Sequence, residues 1–198
     1  MPASKPADVV AAVLDALIAG ATDVAAATLA DRYPFLPEAQ VQRRYTSKQM
    51  VEVFIRDGFI DRYTGERLVF PGTLRLISAM LPSDFPFQKN WKVSETHPAY
   101  WHLCPTIDHV VPIVRGGNND VGNLVTTTQL KNSTKANWTL DELGWELHPP
   151  GDMAVWDGLT GAFMRLVEVQ PSLLNDNYVR AWHRALKAVV DRRGSGRK

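Results

Sequence analysis

Between Asp108 and Lys135 the chain holds a carboxylate, an imidazole and several amides that together could hydrolyse a phosphodiester. Hydrolysis at neutral pH needs a base that activates water and a cation that neutralises charge on the phosphate and the leaving oxygen. Histidine suits the first task, because its unperturbed pKa of about 6.5 leaves it able to accept a proton. Mg²⁺ prefers oxygen ligands and typically takes only one or two protein carboxylates. Asp108 and the amide oxygen of Asn132 could supply that sparse set, with His109 as the base.

The Asp-His pair lies in a segment that favours a β-strand. Residues 106–111 are apolar and β-branched apart from Asp108 and His109, and Pro112 must end the strand. Adjacent strand residues point to opposite faces, so the pair can serve one site only at a strand end or a local distortion.

A loop, a second strand and a helix are predicted to follow. Glycines and asparagines at 116–119 give the backbone freedom of a loop, and residues 123–128 favour a short strand. Residues 128–137 are polar enough for an exposed short helix, on which Lys131 and Lys135 share a face. The motif is therefore predicted to be a strand, strand, helix unit.

The spacing of these polar residues resembles the HNH endonucleases in their His-Asn-Asn form. His109 lies 14 residues before Asn123, and Asn123 lies 9 residues before Asn132. The resemblance covers residues 104–138, about a fifth of the chain. It implies an α+β fold in which a ββα-metal unit is embedded in a mostly helical chain. It also implies a metal-dependent endonuclease that hydrolyses DNA phosphodiester bonds with Mg²⁺ or Mn²⁺.

The resemblance assigns a role to each position. His109 would be the general base, and Asp108 and Asn132 the ligands of the metal ion. Asn123 would pin the loop and so hold the base in place. The expected phosphate contacts are three basic side chains: Arg115, Lys131 and Lys135.

One departure from the family pattern concerns zinc. Many small HNH proteins brace this unit with a zinc ion bound by two Cys-x-x-Cys pairs, whereas this chain has the single cysteine Cys104. We therefore expect no structural zinc and a unit held by packing.

The tract 61–69 resembles the hairpin that precedes the motif, with its turn at 63–65. The aromatic residues of 82–101 are interpreted as core, with stacking on unpaired bases as the alternative.

The remaining segments favour helices. Residues 7–30 predict two helices interrupted by Gly20, before a break at Pro34 and Pro37. A capping box of Thr46 and Gln49 predicts a helix to about Arg56, interpreted as scaffold rather than as a DNA-reading element. The predicted regions are an N-terminal helical region at 1–58, a nuclease domain at 59–147, and a C-terminal extension at 148–198. The extension carries a helix from about Asn177 to Arg192 and an unstructured basic tail.

Charge and hydropathy limit the classes of function and the location that the sequence favours. The net charge of +1 is mild evidence against a large sequence-independent nucleic-acid footprint. Basic residues nevertheless outnumber acidic ones by seven to four in 40–75 and by seven to two in 171–198, on either side of the motif. No stretch approaches the roughly 20 apolar residues of a membrane span, and acids interrupt the alanine-rich start, so a cytoplasmic location is expected.

Three functions remain open from the sequence. The first is the DNA endonuclease, and the second is an HNH-fold nucleic-acid-binding or regulatory protein that does not cut. The third is a nuclease directed at RNA. One site cuts one strand, so a duplex break would call for a homodimer or two successive events. Restriction, phage-defence, phage-packaging and mobile-element roles all fit.

Overall fold

The computed structural model describes residues 5–35 and 45–195, with side chains to residue 192. The chain divides into two compact units, Met1–Gln42 and Arg43–Lys198. Its helices and strands are α1 (Pro6–Ile18), α2 (Thr22–Arg32), α3 (Ser47–Arg56), α4 (Pro71–Met80), α5 (Ala99–Leu103), β1 (Pro105–His109), β2 (Leu124–Thr128), α6 (Gln129–Lys135), α7 (Leu140–Leu143), α8 (Thr160–Val169) and α9 (Asn177–Ser195).

The smaller unit is a pair of helices, α1 and α2. Gly20 lies between them with a φ of +75°, a conformation that glycine adopts without steric cost and that ends α1. The predicted interruption at Gly20 is therefore confirmed. The side chains that the pair buries are small: Val9, Val13 and Ala25. The predicted break at Pro37 lies outside the described residues.

The core of the larger unit joins α3 to α9. The predicted capping box starts α3, because the Thr46 hydroxyl accepts from Gln49 N and the Gln49 side chain accepts from Thr46 N. Phe54 on α3 is fully buried and stacks on Trp182 of α9, with ring centroids 6.3 Å apart. The helix also contacts β1 and β2. It shares one core with the C-terminal helices, whereas α1 and α2 belong to the other unit.

The aromatic residues between α4 and α5 form a second cluster. Tyr100 is fully buried, and its hydroxyl lies 2.7 Å from that of Ser78. Its ring is contacted by those of Phe85, Phe87 and Trp91. The interpretation of this segment as core is confirmed.

The two strands form an antiparallel sheet and α6 follows directly. Ile107 pairs with Thr126 and His109 with Leu124, so β1 ends at His109, before the predicted end at residue 111. Thr128 ends β2 and caps α6, because its hydroxyl accepts from Lys131 N at 3.2 Å. The helix contacts both strands. The structure thus has the predicted succession of strand, strand and helix within a mixed helix and sheet fold.

The outer edge of β2 pairs with side chains and a turn. Thr126 O accepts from the backbone of Arg62 at 2.8 Å, in the turn closed by the single bridge Ile60–Arg67. Buried carboxylates accept from the N–H groups on this outer edge. Thr126 N donates to Asp57 at 2.8 Å, and Thr128 N donates to Asp61 at 3.1 Å. The predicted hairpin before the motif is this turn, and it fixes β2 from outside.

The C-terminal helix extends beyond the predicted end at Arg192. Its side chains Val179, Trp182, Leu186 and Val189 are buried. The backbone stays helical through Ser195, so the prediction of an unstructured tail from Arg192 is wrong for its first residues, and residues 196–198 lie outside the described part. In the part of the chain that the structure describes, no helix is long and apolar enough to cross a membrane.

Candidate active site

His109 lies at the last position of β1 and is 2% exposed. Its Nε2 lies 2.9 Å from Asn119 Oδ1 and 3.1 Å from the hydroxyl of Tyr45. Its Nδ1 makes no hydrogen bond with the described residues. The imidazole is thus held through Nε2, while Nδ1 has no hydrogen-bond partner among the described residues.

Asn123 closes the loop that follows His109. Its Oδ1 accepts from Val111 N at 2.8 Å, while its Nδ2 donates to Val111 O at 2.9 Å and to Asn118 O at 2.8 Å. Gly117 N donates to Pro112 O at 3.0 Å within the same loop. These bonds tie the start of the loop to its far side, and the loop in turn carries Asn119 to His109.

Asp108, the residue before His109 in β1, is buried, with 4% of its surface exposed. Its Oδ2 accepts from the hydroxyl of Tyr63 at 2.7 Å and lies 3.1 Å from the ammonium of Lys135. Burial, followed by the charge of Asp108 and the hydrogen bond to it, raises the pKa of Tyr63 far above its usual range. The phenol therefore stays protonated and donates at any physiological pH. The other oxygen, Oδ1, receives no hydrogen bond from the described residues.

Asn132 approaches the same strand from α6. Its Nδ2 donates to Ile107 O at 3.4 Å, so the amide lies against the residue that precedes Asp108. Its Oδ1 receives no hydrogen bond from the described residues. The two unbonded oxygens, one of a carboxylate and one of an amide, are of the donor types that Mg²⁺ takes. No three His, Cys, Asp or Glu side chains of residues 5–35 and 45–192 converge as a metal cluster.

The three basic side chains expected to contact phosphate have different surroundings. Arg115 is exposed and lies 3.4 Å from Glu142. Lys131 is half-buried, with its ammonium 5.7 Å from the centre of the Trp145 ring. Lys135, expected on an exposed face, is instead 0% exposed, and its ammonium donates to His109 O at 2.7 Å. In this structure the charge of Lys135 faces Asp108 and β1, not the solvent.

Two cavities border the site. A cleft of about 510 Å³ covers the loop after His109, and Asp120 is the only charged residue among those lining it. A smaller cavity of about 200 Å³ is lined by Tyr45 and Asn119, the two side chains that contact His109 Nε2. Neither is lined by Asp108, His109 or Asn132.

Three contacting residues were missed from the sequence. Tyr45 and Tyr63 reach His109 and Asp108 from 64 and 45 residues away, and no local pattern encodes such contacts. Asn119 lies only 10 residues from His109, in the predicted loop. Its signal was present, because a loop amide this near a candidate base is a natural acceptor for the imidazole.

Comparison of the chain with models of known protein families, with curated proteins and with solved structures gave no match in any of the three.

Proposed function

We propose that this chain is a metal-dependent endonuclease of the HNH type that hydrolyses DNA phosphodiester bonds, with His109 as the general base. One observation carries the proposal. The end of β1 carries an imidazole that is fixed through Nε2 and has no hydrogen bond at Nδ1 from the described residues, directly after a carboxylate that keeps one oxygen unbonded. The amide of Asn132 reaches the same strand from α6.

The contact with Asn119 suits the base to its task. A neutral imidazole carries one proton, and an oxygen acceptor at Nε2 keeps the proton there. The Nδ1 lone pair is then free to take a proton from an attacking water. Asn123 supports this arrangement at a distance, because its three hydrogen bonds hold the loop that carries Asn119.

Asp108 and Asn132 would hold the Mg²⁺ or Mn²⁺ ion. Such an ion would neutralise the charge that develops on the phosphate and the leaving oxygen. The hydroxyl of Tyr63 and the ammonium of Lys135 hold Asp108 through Oδ2, which would leave Oδ1 for the ion. Of the three basic residues, Arg115 and Lys131 remain the proposed phosphate contacts. Lys135 would have to leave Asp108 to make one.

A second candidate is a protein of the same fold that binds nucleic acid without cutting it. Its support is the burial of His109, since a base that is 2% exposed needs its neighbours to move before substrate reaches it. The exposed Arg115 is also already paired with Glu142. Such a protein would bind DNA in the presence or absence of a divalent ion and leave it intact.

Cleavage of supercoiled plasmid tests the proposal directly. Purified full-length protein is incubated with plasmid in Mg²⁺, in Mn²⁺ and in chelator, beside His109→Ala. The matched control is His102→Ala, because His102 is exposed on α5, outside the site. We expect wild type and His102→Ala to nick or linearise the plasmid with a divalent ion, and His109→Ala to lose at least about 100-fold in rate.

The remaining outcomes separate the alternatives. Plasmid left intact by wild type in both metals, together with retained binding, would reject the nuclease in favour of the binding protein. Cleavage by His109→Ala at the wild-type rate would remove His109 as the base. Labelled DNA and RNA oligonucleotides of one sequence, digested in parallel, would show which sugar the site accepts.

A further inference from the structure

Lys135 is a buried cation whose contacts all lie around the proposed metal ligand. Lysine is almost never fully buried unless it is paired, because taking an ammonium out of water is costly. Here the ammonium is 0% exposed, donates to His109 O at 2.7 Å and lies 3.1 Å from Asp108 Oδ2. It also lies 6.0 Å from the centre of the Tyr63 ring. Its charge therefore acts on Asp108.

The contacts on Asp108 are divided between its two oxygens. Oδ2 receives both the Tyr63 hydroxyl and the Lys135 ammonium, while Oδ1 receives no hydrogen bond from the described residues. A cation bound at Oδ1 would share the carboxylate with the lysine rather than replace it. Two cations on one buried carboxylate repel each other, and the interior screens that repulsion less than water does.

We propose that Lys135 is the resident counter-ion of Asp108 and that it weakens the binding of a divalent ion at the site. The inference rests on the proposed function, because it takes Asp108 and Asn132 as the metal ligands. The lysine keeps the buried carboxylate paired while no ion is bound, and its charge reduces what a divalent ion gains there. Removal of the charge then tightens metal binding.

Metal affinity of the full-length chain tests this without any cleavage assay. Mn²⁺ alone is titrated into wild type and Lys135→Met, and free Mn²⁺ is followed by electron paramagnetic resonance. We expect Lys135→Met to bind Mn²⁺ at least about tenfold more tightly, a change of about 1.4 kcal/mol. The matched control is Lys187→Met, because Lys187 is exposed on α9 and has no role in the site, and its affinity should stay within about twofold of wild type.

A second variant guards against a folding defect, because Lys135→Met leaves Asp108 buried without its partner. Lys135→Gln removes the charge and keeps a donor for the His109 carbonyl, and its affinity should rise in the same direction. Melting curves with and without Mn²⁺ should show a larger metal-induced rise for both variants than for wild type.

Each outcome decides the proposal. Tighter Mn²⁺ binding by either folded variant supports it, provided that the increase in affinity disappears when Asp108→Asn is added to that variant. Equal affinity in wild type, Lys135→Met and Lys135→Gln overturns the role of Lys135 and leaves the metal site standing. Absence of Mn²⁺ binding in all three overturns the inference and the proposed metal site together.

Discussion

Two oxygens contact Nε2 of His109, and each favours a different tautomer of the neutral ring. Asn119 Oδ1, at 2.9 Å, can only accept, so it favours the ring form with a proton on Nε2. The hydroxyl of Tyr45, at 3.1 Å, can instead donate to Nε2, which moves the ring proton to Nδ1. Only the first form leaves Nδ1 as a base.

Replacement of Asn119 should therefore disable the base. In Asn119→Leu the tyrosine donates to Nε2, and we expect the single-turnover cleavage rate to fall about 100-fold, within the range that a positioned base contributes. Tyr45→Phe is the matched control, since it keeps the Asn119 contact and should stay within about threefold of wild type. Nitrogen-15 NMR of labelled histidine reads the ring form directly. A wild-type rate with the proton still on Nε2 in Asn119→Leu would show that Asn119 has no such role.

The sequence made some site residues predictable and concealed others. Asp108, His109, Asn123 and Asn132 could be named because their spacing is local and their chemistry is distinctive. Tyr63 and Tyr45 could not, because their contacts form only when distant segments pack together. The burial of Lys135 was missed for a related reason. Helical spacing shows which residues share a face, but not that the face lies against β1.

The loop between the strands depends on close approach of backbone to backbone. A Cβ on Gly117 would lie 1.9 Å from Val111 O and 2.9 Å from Asn123 Nδ2, two of the atoms that close the loop. Gly122 lies in the same loop, and a Cβ there would have no heavy atom within 4 Å. Only glycine therefore fits at 117, whereas 122 tolerates a side chain.

Alanine at these two positions should consequently give opposite results. We expect Gly117→Ala to lose about 1–3 kcal/mol of unfolding free energy, as overpacked sites do, and to lose cleavage as Asn119 moves away from His109. Gly122→Ala should match wild type in both. Chemical denaturation followed by circular dichroism, together with plasmid nicking rates, checks the pair. Equal stability of the two variants would mean that the loop is not closed as described.

Elements were predictable where a few neighbouring residues decide them. The capping box of Thr46 with Gln49 starts α3 as predicted, since the box is complete within four residues. The buried face of α9 follows from helical periodicity in the same way. α3 packs on α9, more than 120 residues later, and the sequence shows no sign of that contact.

At the scale of the whole molecule, one acid links distant parts of the larger unit. Asp176 caps α9, because its Oδ1 accepts from Tyr178 N at 2.8 Å and from Val179 N at 3.1 Å. Its Oδ2 lies 2.7 Å from the guanidinium of Arg75 on α4. Burial alone would raise its pKa, but the Val179 N–H and the Arg75 guanidinium outweigh that effect and lower the pKa below its usual value.

The acid stability of the protein should reflect this carboxylate. Because its folded pKa lies below the unfolded value, its contribution is present above the unfolded pKa, about 3.9, and is lost as pH falls through the folded pKa. We expect Asp176→Asn to be less stable than wild type at pH 7, by about 1 kcal/mol, and to approach it as the pH falls below about 4. Urea unfolding at several pH values measures both. A constant difference across that range would exclude the linkage.

The two strands raise a question that reaches beyond a single molecule, since a lone hairpin normally presents open edges to other chains. Here Asn132 and Lys135 take the outward carbonyls of Ile107 and His109 on one side, and Asp57, Asp61 and the Arg62 backbone occupy the other. An intruding strand would have to strip a buried ammonium or a buried carboxylate from its partner. The same side chains that surround the candidate site therefore keep the edges of this sheet from pairing with strands of other molecules.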